Sequence, residues 1–152
     1  MTGRASDEVA YSEPVTDQDS FSTRIKVRHY ELDTLGHLNH SVYHLYAEVA
    51  RLEWFEHAGG GGDGLRDLGV APVLLESNIR FRRELRAGDE VDVSCDVAFG
   101  EGKTFRMNSD IRKTDGTLSA EITCTIGVMD LTLRKLVADP REVLERAGLA
   151  VP

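Results

Sequence analysis

Cysteine is scarce in this chain of 152 residues. Cys95 and Cys124 are its only two, too few for a disulfide framework. No apolar run approaches the roughly 18 residues that crossing a bilayer takes. The N-terminus lacks the hydrophobic stretch of a secretory signal. Positive charge is short as well: 18 Lys and Arg stand against 26 Asp and Glu, a net charge of −8. That balance argues against a nucleic-acid partner, whose phosphates would repel it. The expectation is a cytoplasmic protein with no membrane and no nucleic acid among its partners. The length excludes a TIM barrel or a two-domain dehydrogenase and suits one domain.

What is present is an ordinary globular composition, 41% hydrophobic and 29% charged. Half of the net charge sits in residues 1–20, where Asp7, Glu8, Glu13, Asp17 and Asp19 face Arg4 alone. This stretch has no sustained periodicity and reads as a flexible acidic tail ahead of a single domain, 21–152. From Phe21 the pattern is that of a strand, with Ile25, Val27 and His29 alternating with Arg24, Lys26 and Arg28.

After a turn at Asp33–Gly36 the period changes. Leu38, Val42, Leu45, Val49 and Leu52 form one stripe at helical spacing, and Tyr43, Tyr46, Ala50 and Trp54 an adjoining one. Two such stripes predict a helix buried on a wide face. Asn39 is the expected N-cap and the glycines from Gly59 the stop. Four alternating stretches follow, at 73–82, 90–99, 103–113 and 118–131, separated by Gly88-Asp89, Gly100-Glu101-Gly102 and Asp115-Gly116. In the first of them Val73, Leu75, Ile79 and Phe81 are expected on one face. Pro140 opens a short C-terminal helix carrying Val143, Leu144 and Leu149. The order predicts an α+β domain in which about five antiparallel strands curl around one long helix. The open sheet edges call for an oligomer.

The densest polar stretch is Tyr30-Glu31-Leu32-Asp33-Thr34-Leu35-Gly36-His37-Leu38-Asn39-His40. It ends a strand and opens the long helix. The first amides of a helix have no partner within it and carry the positive end of its dipole. A carboxylate beside such an end combines a general base with a site for a developing oxyanion. The plainer reading is that Asp33 only caps a turn and Gly36 only permits it.

The run Asp33-Thr34-Leu35-Gly36-His37-Leu38-Asn39-His40-Ser41-Val42-Tyr43 resembles the signature of hotdog-fold acyl-CoA thioesterases of the 4-hydroxybenzoyl-CoA thioesterase type. The resemblance continues through Glu48-Val49-Ala50-Arg51, Trp54-Phe55, Glu76-Ser77-Asn78-Ile79-Arg80-Phe81 and Leu85-Arg86-Ala87-Gly88-Asp89-Glu90-Val91. It implies a curved antiparallel sheet wrapped around one helix, assembled as a homodimer or homotetramer with active sites at the subunit interface. It also implies hydrolysis of an acyl-CoA or acyl-carrier-protein thioester without a cofactor. Carried over by position, Asp33 is the catalytic carboxylate, as base or nucleophile, and the backbone N–H of His40 polarises the thioester oxygen. Gly36, His37, Asn39 and Tyr43 are the substrate-binding set. Three positions depart from the pattern: His40 stands where an Asn is common, Glu31 where an Asp is, and Ala87 where a proline is.

Other signals carry competing readings. Glu48 is a second candidate carboxylate, on the helix itself, whose plainer role is an ion pair with Arg51. His37 paired with Asp33 or Glu48 would imitate a hotdog hydratase or dehydratase, and a non-catalytic acyl-thioester-binding subunit is a third reading. His40, His44 and Glu48 share a helix face without the His-Glu-x-x-His order of zinc peptidases, so no metal is expected. Gly59, Gly61 and Gly64 follow a helix rather than a strand and read as a loop, not a dinucleotide site. No Gly-x-Ser-x-Gly elbow occurs. The two cysteines fall on inward strand positions and read as core. Arg82 and Arg83, within the basic run Arg80, Arg82, Arg83 and Arg86, are candidate contacts for coenzyme A phosphates, or else a solvated rim.

Overall fold

The computed structural model describes residues 20–60 and 63–152. Of the expected acidic tail, all but Ser20 lies outside the described residues. The elements are β1 (Ser22–Lys26), α1 (His40–Phe55), α2 (Gly64–Asp67), β2 (Val70–Phe81), β3 (Glu90–Ser94), β4 (Asp96–Phe99), β5 (Thr104–Lys113), β6 (Leu118–Asp130), β7 (Lys135–Leu136) and α3 (Pro140–Arg146). The strands form one antiparallel sheet in the order β1-β3-β5-β6-β2, curled against α1. β4 continues β3 in unbroken register along β5, so the stretch read as one strand over 90–99 is interrupted only at Cys95. β7 is an addition the periodicity did not show. It pairs with the end of β6 after a turn in which Arg134 takes a positive φ of 57°. His29, expected in the first strand, instead opens a 3-10 turn over His29–Glu31.

Alternation explains the core. Phe105, Met107 and Ile111 of β5 and Ile122, Cys124, Ile126 and Val128 of β6 are buried on one face, joined by Val91, Val93 and Cys95. Against them α1 lays Tyr43, Tyr46, Ala47, Ala50 and Trp54. The second stripe differs from expectation. Leu45, Val49 and Leu52 are 54%, 39% and 60% exposed, because the sheet covers only one side of the helix. Strand β2 also departs from its expected alternation. A bulge at Leu75 shifts the register between Leu74 and Glu76. Leu74, Ser77, Ile79 and Phe81 therefore oppose the inward residues of β6, while Leu75 turns to the other face. There Leu75 and Leu136 crowd over Gly127, where an added Cβ would lie 2.7 Å from a Leu136 methyl.

Candidate active site

The chain between β1 and α1 is folded by its own polar groups. The Asp33 amide donates to the His37 carbonyl (2.8 Å), and the Gly36 amide to the Asp33 carbonyl (3.1 Å). Asp33 Oδ1 accepts from the amides of Leu35 (2.8 Å) and His37 (3.2 Å). Asp33 does cap its turn, as the plainer reading has it, but with one oxygen. Oδ2 has no partner among the described residues. Gly36 sits at φ 77°, a conformation costly for any side chain, although no atom would obstruct a Cβ there. Its role in the folded chain is therefore conformational.

Two amides fix the entry into the helix. Leu38 donates to the Leu85 carbonyl (2.7 Å) and Asn39 to the Glu31 carbonyl (2.9 Å). Asn39 is the N-cap, its Oδ1 accepting from the Ser41 amide at 3.0 Å, and its carbonyl accepts from the Val42 amide at 2.9 Å. The amide of His40, the first helical residue, has no partner among the described residues.

Beside this end of α1 lies a cavity of about 280 Å³ lined by Asp33, His37, Leu38, His40, Tyr43, Phe81, Arg82, Arg83 and Glu84. It brings together Asp33, His37, His40, Tyr43, Arg82 and Arg83. Gly36 and Asn39 are not on its wall; they shape the turn and cap the helix. Tyr43 is 3% exposed and packs edge-on against Phe81, with ring centroids 5.1 Å apart. Burial raises the pKa of its hydroxyl, against hydrogen bonds with Ser119 and the Leu85 backbone that lower it. The Glu84 carboxyl is held below its ordinary pKa, first by its own backbone amide and further by the charges of His37 and Arg86.

The two arginines differ. Arg82 is committed to Glu121, its Nη2 lying 2.7 Å from the carboxylate, whereas Arg83 has no side-chain partner among the described residues. Glu31 faces elsewhere. Its Oε1 accepts from the Tyr46 hydroxyl (2.9 Å) and the Arg28 amide (2.8 Å). The Tyr46 pKa is raised, first by burial and then by Glu31. The Glu48–Arg51 ion pair is not formed: Arg51 instead donates from Nη1 to Cys124 Sγ at 3.3 Å. Both cysteines are free and buried, and burial pushes the Cys95 thiol up to about 12. Among the described residues no three His, Cys, Asp or Glu side chains are grouped to hold a metal ion, and no helix is long and apolar enough to cross a membrane.

Sequence reasoning missed the residues that hold the Arg82–Glu84 wall in place. Ser119 is fully buried; its carbonyl accepts from the Arg82 and Arg83 amides (2.8 and 3.1 Å) and its hydroxyl donates to the Arg83 carbonyl (2.7 Å). Leu85, also fully buried, anchors the same loop from a segment without periodicity. Ser119 is the extra residue where the register with β5 shifts, out of step with the inward Ala120 and Ile122, so alternation carried no signal for this clamp.

A model of the thioesterase-like superfamily matches residues 27–147. A protein of Aquifex aeolicus whose name assigns it, by inference, as an esterase is 30% identical over 125 residues, covering 82% of this chain and 95% of its own. The long-chain acyl-CoA thioesterase FadM of Escherichia coli is 27% identical, covering 82% and 94%. The crystal structure of YbaW, a probable thioesterase of Escherichia coli, superposes with a TM-score of 0.76 at 27% identity, covering 84% of this chain and 98% of that one. The wrapped sheet is thus a hotdog fold, and the chain belongs to the thioesterase-like superfamily.

Proposed function

We propose that this thioester hydrolase acts on an acyl-CoA, with Asp33 as the reacting carboxylate, in the manner of the 4-hydroxybenzoyl-CoA type. One observation carries the reading: a carboxylate with one oxygen anchored and one unclaimed among the described residues shares a cavity with the first residue of a 16-residue helix, whose amide is likewise unclaimed among them. The thioester oxygen would rest at the His40 amide, where the helix dipole favours the charge that develops on it. Asp33 would then take a proton from the attacking water or attack the carbonyl carbon itself. In the first case hydroxide adds to the carbon, the carbon–sulfur bond breaks and the thiolate leaves with the proton Asp33 took. In the second the thiolate leaves behind an acyl–Asp33 anhydride, and the water that hydrolyses it restores the carboxylate, releases the acid and supplies the thiol proton. Arg83, with no carboxylate partner among the described residues, is the better placed of the two arginines for a coenzyme A phosphate.

The same reading includes a homodimer or homotetramer. The outer edge of β2 is unpaired among the described residues, and Leu74, Phe81 and Leu52 near it are each about half exposed. An open edge beside apolar side chains is what a second copy would cover. The FadM relative, by its name, acts on acyl-CoA, which supports the substrate class. The test is thiol release from a panel of acyl-CoAs, with an enoyl-CoA in a parallel arm. Thiol release is expected. Hydration of the enoyl-CoA without thiol release, or tight binding without turnover, would replace this reading with the hydratase or the binding subunit.

A further inference from the structure

A second cavity, separate from that of Asp33, lies between α1 and β1. It is a groove of about 330 Å³ bordered by Leu45, Val49 and Glu53 on the helix and by Arg24, Lys26 and Arg28 on the strand side. The two elements run in opposite directions. Phe21, just ahead of β1, lies against His57, just past α1, with ring centroids 5.1 Å apart. Beyond the other end of β1, Glu31 accepts from the Tyr46 hydroxyl. The groove therefore has two unlike ends, Arg24 with Glu53 at one and Arg28 with Leu45 at the other.

The charges are spent unequally. Arg24 is bound to Asp92 by two bonds of 2.9 and 3.0 Å. Lys26 has no partner among the described residues. The Arg28 guanidinium stands 3.9 Å from Glu31 Oε1, an oxygen that already accepts from the Tyr46 hydroxyl and the Arg28 amide. Two cations thus meet one committed carboxylate there, while Glu53 is held at the opposite end. Leu45 and Val49, 54% and 39% exposed, and the half-buried Ile25 supply an apolar floor. From Leu45 to Glu53 the helix rises about 12 Å. A second copy of the chain is a poor occupant, because charged side chains along an edge strand, lysine above all, oppose pairing with another strand. The concave volume is that of a small-molecule site. An apolar chain ending in one anionic group matches both the floor and the cationic end.

We propose that this groove binds a free carboxylic acid with an unbranched apolar chain, its carboxylate at Lys26 and Arg28 and its chain over Leu45 and Val49. The site stands on its own geometry; only the view of its ligand as the product class of the enzyme rests on the thioesterase reading. The full-length chain is titrated by calorimetry with octanoate and with octanol, and its leucine and valine methyl signals are followed by NMR. Octanoate is expected to bind roughly tenfold more tightly than octanol, the yield of two solvent-screened charge contacts, and to shift the Leu45 and Val49 methyls. Lys26→Gln combined with Arg28→Gln should bring the ratio close to one and leave thiol release unchanged. Val49→Asp, a change on an exposed position, should abolish octanoate binding. Equal binding of the two ligands by the unmodified protein, or a preference that survives the double substitution, overturns the proposal. So do methyl shifts confined to Leu38 or Leu74, and Leu45 and Val49 methyls that respond to dilution instead of octanoate, which would give this face to a second copy. Octanoate binding here without thiol release from any acyl-CoA would remove the hydrolase reading and leave this site; thiol release without such binding would do the reverse.

Discussion

The turn leading into α1 and the middle of that helix each offer a carboxylate, and the two are held in different ways. Asp33 is fixed by two backbone amides through one oxygen, beside a helix end with an amide to spare. Glu48 is exposed and makes no ion pair with Arg51, which turns inward to a thiol. The turn before the helix owes its shape to hydrogen bonds and one positive-φ glycine; the helix owes its place to burial of Tyr46, Ala47, Ala50 and Trp54. Position next to a helix does not make an acid reactive. Anchoring that leaves one oxygen without a partner is the more demanding condition, and of these two, among the described residues, Asp33 meets it.

Substitutions at the two places should therefore fail differently. The largest effect on stability is expected on the buried face of the helix: Trp54→Ala should cost about 3–5 kcal/mol by leaving a cavity, read as a lowered midpoint in urea. Leu52→Ala, on the exposed stripe, should cost within about 0.5 kcal/mol for the isolated subunit. A larger loss that grows on dilution would locate the subunit seam at that stripe. Near the first turn, Arg83→Ala should raise KM for acyl-CoA about tenfold, the scale of one lost charged hydrogen bond. Arg82→Ala should raise it less, because Glu121 already claims that guanidinium. Equal effects would erase the distinction between them. Gly36→Ala should cost about 1 kcal/mol in stability from backbone strain alone, since nothing within 4 Å obstructs the new methyl. Glu48→Gln should be the mildest, leaving kcat within about twofold and stability within about 0.5 kcal/mol.

Much of this was legible in the sequence. The switch from a period of two to a helical period at Asp33–Gly36 marks the start of α1, and Asn39 does cap it. The alternation in β5 and β6 gives their buried faces directly. Three features were not legible, each for a physical reason. The bulge at Leu75 reverses which residues face inward, and a single inserted position leaves no mark in composition. The Leu45, Val49 and Leu52 stripe looks buried because apolar spacing does not say what covers it. Ser119 and Leu85 shape the cavity through bonds between segments distant in the chain, which no local pattern encodes.

The most direct test of the central claim compares Asp33→Asn with the unmodified chain for thiol release from the best acyl-CoA of the panel, with thermal unfolding followed in parallel. Asparagine keeps the oxygen that accepts from Leu35 and His37, so the turn and the melting temperature should persist. The rate should nonetheless fall by roughly 100-fold or more, as for a displaced general base. An unchanged rate in a folded variant would contradict the account and move the chemistry away from this carboxylate.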